Sequence, residues 1–112
     1  MTDLAYFEAP VPYWADTAMT VTMQGAPVLT LYLKVINLAA RRYYLGMELH
    51  SAPPKFVLRE FYKKFQEAVA GFELEALIDK KDKKAQRFCR FFGFVRIPNY
   101  EVDNHYVYER LN

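Results

Sequence analysis

Cysteine is almost absent from this chain of 112 residues, and the lone Cys89 excludes both an internal disulfide and a cysteine-caged zinc. Long apolar runs are missing too, with nothing approaching the roughly 18 residues that cross a bilayer as a helix. The opening stretch MTDLAYFEAPVPYWAD has no basic segment followed by an apolar one, so no secretion signal is read there. The expected compartment is therefore the cytoplasm. Charge of one sign is also lacking, since a net charge of +2 does not by itself point to nucleic acid. There is no His-x-x-x-His metal pair, no usable Ser-His-Asp spacing and no RNA-binding aromatic signature, and His105 has no evident ligand partner.

What the chain has in quantity is aromatic: 17% of its residues, including nine Tyr and nine Phe. Aromatics let a small domain bury a large area, and those left over suit a partner surface. With 53% hydrophobic and 25% charged residues, the composition is that of a globular chain. Its length fits one domain over residues 1–112.

Residues 1–18 form an irregular or extended arm in this reading, with Pro10 and Pro12 interrupting Tyr6, Phe7, Tyr13 and Trp14. Thr20–Met23 and Val28–Ile36 read as strands flanking a turn at Gln24–Pro27. From Arg41 to His50, Tyr43, Leu45, Met47 and Leu49 alternate with Arg42, Tyr44, Gly46 and Glu48, which predicts a central strand with one buried face. Gly46 inside it signals a bulge or a close backbone approach. Ser51 is the expected N-cap of a helix over Pro54–Ala70, with Pro53 and Pro54 in its first turn and Gly71 as its C′ residue. Phe72–Ile78 reads as a strand, Asp79 or Asp82 caps a second helix to Phe92, and Gly93 stops it. Phe94–Ile97 is a strand broken by Pro98-Asn99, and His105–Arg110 returns after a turn at Glu101–Asn104. The order is β-β-β-α-β-α-β-β, an α+β or α/β domain.

The stretch from about Arg41 to the C-terminus resembles the cofactor-binding half of a GNAT acetyltransferase, most specifically from Ala76 to Phe94. Ala85, Phe88, Gly93 and Phe94 stand at the family's spacing, and Asp82 stands where Asn is usual. The resemblance implies a mixed, mostly antiparallel sheet with two main helices, and acetyl-CoA as a possible cofactor lying between the strands Tyr43–His50 and Phe72–Ile78. Main-chain groups near Met47, Leu49 and Ile78 would meet its pantetheine arm. In the family, a glycine-rich loop at the start of the first helix offers converging N–H groups to the pyrophosphate. Here that stretch is His50-Ser51-Ala52-Pro53-Pro54-Lys55-Phe56, which has no glycine and two residues without an N–H. Lys55 and Ser51 remain as phosphate contacts, or as a solvated charge and a cap.

The family's usual acid, a Tyr, is Cys89 here: a thiol able to protonate a leaving thiolate, or a small buried hydrophobe. Glu48 is the candidate general base and His50 the second, with an exposed strand residue and a strand-end hydrogen bond as the alternatives. Lys80, Lys81, Lys83, Lys84, Arg87 and Arg90 form a basic run suited to a cofactor phosphate, an acidic protein, a nucleic-acid backbone or plain solvation. The resemblance is nearest to small GNAT-like proteins of tailed bacteriophages, including internal virion proteins. It implies a divergent member that binds a host or virion protein, or alternatively an active N-acetyltransferase.

Overall fold

Paired residues in the left-handed region fold the chain back on itself at two places. Gln24 (φ 51°) and Gly25 (φ 81°) join two strands, as do Asp103 (φ 47°) and Asn104 (φ 63°). Positive φ at both central positions is the tight turn that matches strand twist. The computed structural model describes residues 4–51 and 54–111. Its elements are β1 Leu4–Glu8, β2 Thr17–Met23, β3 Ala26–Asn37, β4 Arg42–Leu49, α1 Lys55–Ala68, β5 Glu73–Asp79, α2 Lys83–Phe91, β6 Val95–Val102 and β7 His105–Arg110.

These strands make one seven-stranded sheet in the order β1-β2-β3-β4-β5-β7-β6. Every pairing is antiparallel except β4 with β5, whose parallel register needs the crossover that α1 supplies. That ladder is short: Arg42↔Glu73, Tyr43↔Leu74 and Tyr44↔Glu75. Arg42 fastens this closed end, donating to Glu73 at 2.9 Å and Glu75 at 2.8 Å. Beyond it the strands part.

Of the set expected on the buried face of β4, Leu45 is buried and Tyr43 and Met47 are half-buried, but Leu49 is exposed where the strand leaves the core. Leu29, Leu31, Leu45, Leu74, Ala76 and Tyr108 are buried on the face that carries both helices. The helices lean on each other through Phe92, which is fully buried and stacks against Phe61 (5.5 Å), Phe65 (5.2 Å) and Phe88 (4.7 Å). The α2 terminus explains why Phe92 can sit so deep. Gly93 (φ 86°) is the left-handed cap, its N–H donating to Arg90 O, while Phe94 N–H reaches Cys89 O. This reciprocal pair closes the helix and turns the chain into β6. Asp82 begins the same helix, accepting from Ala85 N–H at 3.0 Å.

Several expectations need correction. The arm carries β1, because Leu4 to Glu8 find backbone partners in Met23 to Met19 of β2; residues 1–3 of the arm lie outside the described residues. Ser51 caps no helix: its hydroxyl reaches Pro27 O at 3.5 Å, and Pro54 takes the cap position without a side-chain bond. Pro53 lies outside the described residues. Helix α1 stops at Ala68 with Val69 as its cap, so Gly71 (φ 82°) serves the turn into β5 rather than the helix end. Strand β6 is not ended by Pro98-Asn99. It bulges there, with Asn99 at φ 60°, and rejoins β7 at Glu101↔Tyr106. As an edge strand it tolerates a residue with no N–H.

Arg110 ties the last strand to both helices. Its Nε donates to Phe92 O at 3.0 Å, its guanidinium also bonds Gln66 Oε1, and it lies over the Phe65 ring at 5.5 Å. Only 7% of the residue is exposed. Arg110→Met keeps the stem and leaves those carbonyls unsatisfied, and is expected to destabilise by about 2–4 kcal/mol. Urea denaturation checks this, as a lower midpoint at unchanged slope.

Candidate functional site

Where β4 and β5 diverge they open a cleft of about 650 Å³ that passes through the sheet. Leu45 to Leu49 line one side and Ala76 to Ile78 the other. On the helix face its floor is Ala85, Phe88, Cys89, Phe92 and Phe94. On the opposite face its wall is Pro12, Trp14, Tyr32 and Tyr44. The lining is mostly apolar with a few polar groups, the usual make-up of a small-molecule site. Met47, Leu49 and Ile78, assigned to a cofactor arm from the sequence, all lie along it.

Glu48 stands at the opening, 60% of its side chain exposed. Tyr32 O–H donates to its Oε2 at 3.1 Å, and His50 Nδ1 lies 4.0 Å from Oε1. His50 Nε2 is 2.8 Å from Thr30 Oγ1, itself 2.9 Å from Thr20 Oγ1. An imidazole with its proton on Nδ1 faces Glu48 and accepts the Thr30 hydroxyl at Nε2. Thr30 is buried, so this chain of bonds fixes His50 from inside the sheet. Burial pushes the Tyr32 phenol up, and the adjacent Glu48 carboxylate adds to the shift. The phenol therefore stays a donor. The sequence brings Glu48 and His50 together as strand neighbours; it does not reveal Thr20, Thr30 or Tyr32.

Cys89 lies in the cleft floor, 6% exposed, and burial pushes its thiol up to about 12. A donor that weak gives its proton to a thiolate of ordinary pKa near 8.5 only uphill. Its size and apolar character shape the floor.

Trp14 was placed by the sequence only in a packed arm. Ala9 to Asp16 instead bend across the open face of the sheet, held by Asp16 N–H to Leu33 O (2.8 Å) and Val35 N–H to Asp16 Oδ2 (2.7 Å). The indole settles between Tyr32 (5.5 Å) and Tyr44 (5.7 Å), directly on Gly46. A Cβ at Gly46 would stand 2.7 Å from its Cη2. The strand glycine was the legible signal of a close approach, with the identity of the approaching group hidden. Tyr44 lies beside the parting strands, and burial pushes its phenol up.

Beside the cleft, on the helix side, lies a second groove of about 400 Å³. Leu49 and Phe88 belong to both, and Ser51, Lys55, Lys84 and Arg87 line the second. The basic run is therefore divided. Lys84 and Arg87 face this groove, whereas Lys80 turns away to Glu101 (2.5 Å) and the Tyr106 ring (5.6 Å). Lys81 and Lys83 are exposed around the start of α2 and line neither cavity. The first turn of α1 carries no acidic side chain, so its positive end is unopposed locally. Ala52 and Pro53 of the connecting stretch are outside the described residues.

No protein-family model and no curated protein matches the chain. Solved structures do. RimJ of Mycobacterium smegmatis, in complex with CoA-disulfide, is 15% identical with a TM-score of 0.62, over 83% of this chain and 51% of that one. The microcin C7 self-immunity acetyltransferase MccE, in complex with acetyl-CoA and AMP, is 14% identical with a TM-score of 0.64, over 86% and 61%. The ribosomal-protein-S5-alanine acetyltransferase of Vibrio fischeri is 14% identical with a TM-score of 0.62, over 88% and 62%. The chain thus spans about half to two-thirds of the length of the structures it matches. At such identities the likeness is one of architecture, and that architecture is the mixed α+β fold of the GNAT acetyltransferases.

Proposed function

We propose that the chain binds acetyl-CoA between β4 and β5 and transfers its acetyl group to an amine. The observation that carries this reading is the adjacency, across the shared walls Leu49 and Phe88, of an apolar cleft and a groove bearing Lys55, Lys84 and Arg87. A narrow apolar slot suits a pantetheine arm, and clustered cations beside a helix start suit phosphates. Side chains take over here what a glycine-rich loop would do with backbone N–H groups. That two of the structural neighbours are complexes with CoA or acetyl-CoA supports the same choice of ligand.

When bound, the thioester supplies an acyl carbon open to an amine, the C–S bond breaking as the C–N bond forms. Glu48, at the opening, takes the proton that the amine sheds. Tyr32 and His50 hold its carboxylate from two sides, which fixes the direction of that transfer. Backbone groups of β4 and β5 left without cross-strand partners beyond Tyr44 and Glu75 face the arm.

Calorimetric titration is expected to give micromolar binding of acetyl-CoA. Lys84→Glu with Arg87→Glu is expected to weaken it roughly tenfold or more, a loss above about 1.4 kcal/mol. Absence of heat at millimolar acetyl-CoA would remove the reading. Glu48→Gln should leave that affinity intact and lower turnover by about 10²- to 10³-fold, followed as CoA thiol release with an amine acceptor.

A second reading, docking on a host or virion protein, is favoured by the far end of the β3–β4 hairpin. Val35 (37%), Ile36 (47%) and Leu38 (69%) are exposed there, away from the cleft. On this reading Ile36→Lys with Leu38→Lys releases a protein that the wild-type chain retains in parallel affinity captures. Retention equal in both would exclude this surface as the dock.

A further inference from the structure

We propose that Trp14 is the end wall of the acyl site and restricts it to short acyl groups, acetyl or propionyl. The inference rests on the reading of the cleft as a thioester site and adds what that site admits.

A chain entering from the basic groove passes between β4 and β5 with Cys89 and Phe92 beneath it, and on the far side of the sheet it meets the indole. The wall is firm for three reasons. Trp14 is wedged between Tyr32 and Tyr44, so neither sideways rotation is free. It rests on the bare backbone of Gly46 with no room for even a methyl group between them. The segment carrying it is fastened to β3 beside the indole, by the backbone and side chain of Asp16, and is turned by Ala15 N–H to Pro12 O at 3.1 Å. Displacing the indole to admit a longer chain would break both aromatic contacts and expose its buried area. Glu48 lies beside the same wall, so an acyl group stopped by Trp14 is stopped where the proton acceptor stands.

Trp14 is the chain's only tryptophan, which makes it its own reporter. Affinities for CoA, acetyl-CoA, propionyl-CoA, butyryl-CoA and hexanoyl-CoA would be measured by calorimetry for wild type, Trp14→Phe and Trp14→Ala. Wild-type emission would be followed in the same titrations. The expected result is a fall of tenfold or more from propionyl to hexanoyl in wild type, a shallower fall in Trp14→Phe and none in Trp14→Ala. CoA itself should bind all three alike, and acetyl-CoA should change Trp14 emission more than CoA does. Chain-length profiles that coincide in wild type and Trp14→Phe, or identical emission changes with CoA and acetyl-CoA, would overturn the wall while leaving the cofactor reading standing. Failure of CoA and every thioester to bind wild type would overturn both. Should Trp14→Ala not fold, Trp14→Phe and the wild-type emission decide the matter.

Discussion

Between β4 and β5 the backbone runs out of partners after Tyr44 and Glu75, and polar groups beyond that point must be satisfied by something other than a neighbouring strand. A sheet that opens in its middle, rather than at an edge, needs both arms of the opening held apart and its root held shut. Arg42, bonded to Glu73 and Glu75 across the root, does the second. The first falls to the layers above and below. The Phe92-centred aromatic cluster sets α2 under the gap, and Trp14 enters it from the other face.

The two faces accomplish this by different physics. Under the helices, burial is extensive and apolar, and a single residue such as Phe92 touches both helices at once. Truncating such a side chain costs about 3–5 kcal/mol. Across the sheet a polar set runs beside the Trp14, Tyr32 and Tyr44 rings. Thr20, Thr30, His50, Glu48 and Tyr32 form one connected set, strung along β2, β3 and β4. Such a set contributes little to stability per bond and much to orientation. The division leaves the polar set on the face that carries no helix.

Local rules made much of this readable. The strand at β4, Asp82 ahead of α2 and Gly93 after it depend on residues a few positions apart, and each is seen in the structure, although Leu49 is exposed at the end of β4. What stayed hidden depends on distant partners. Nothing within Leu4–Glu8 declares a strand until β2 offers its edge, and Pro98 looks like a terminator until β7 carries the chain past the bulge. Ser51 has the chemistry of a cap, but its hydroxyl reaches Pro27 O and Pro54 holds the cap position. The site divides along the same line. Glu48 and His50 were visible as neighbours on a strand; Trp14 was not, because the contact that defines it joins two segments with no common pattern. Of the six cations in the basic run, only geometry separates Lys84 and Arg87, on the groove, from Lys80, held by Glu101.

The edge position of β1 has a bearing on how the cleft is walled. This five-residue strand pairs on one side only, and its Tyr6 hydroxyl is buried without a hydrogen-bond partner among the described residues. Short edge strands open at lower free energy than the interior of a sheet. The segment bearing Trp14 begins where β1 ends, so peeling of this edge loosens one end of that segment while the helix side stays intact. Such peeling leaves the indole on its own ties, through Asp16 to β3 and against Tyr32, Tyr44 and Gly46, so the two ends of this segment are held by independent contacts.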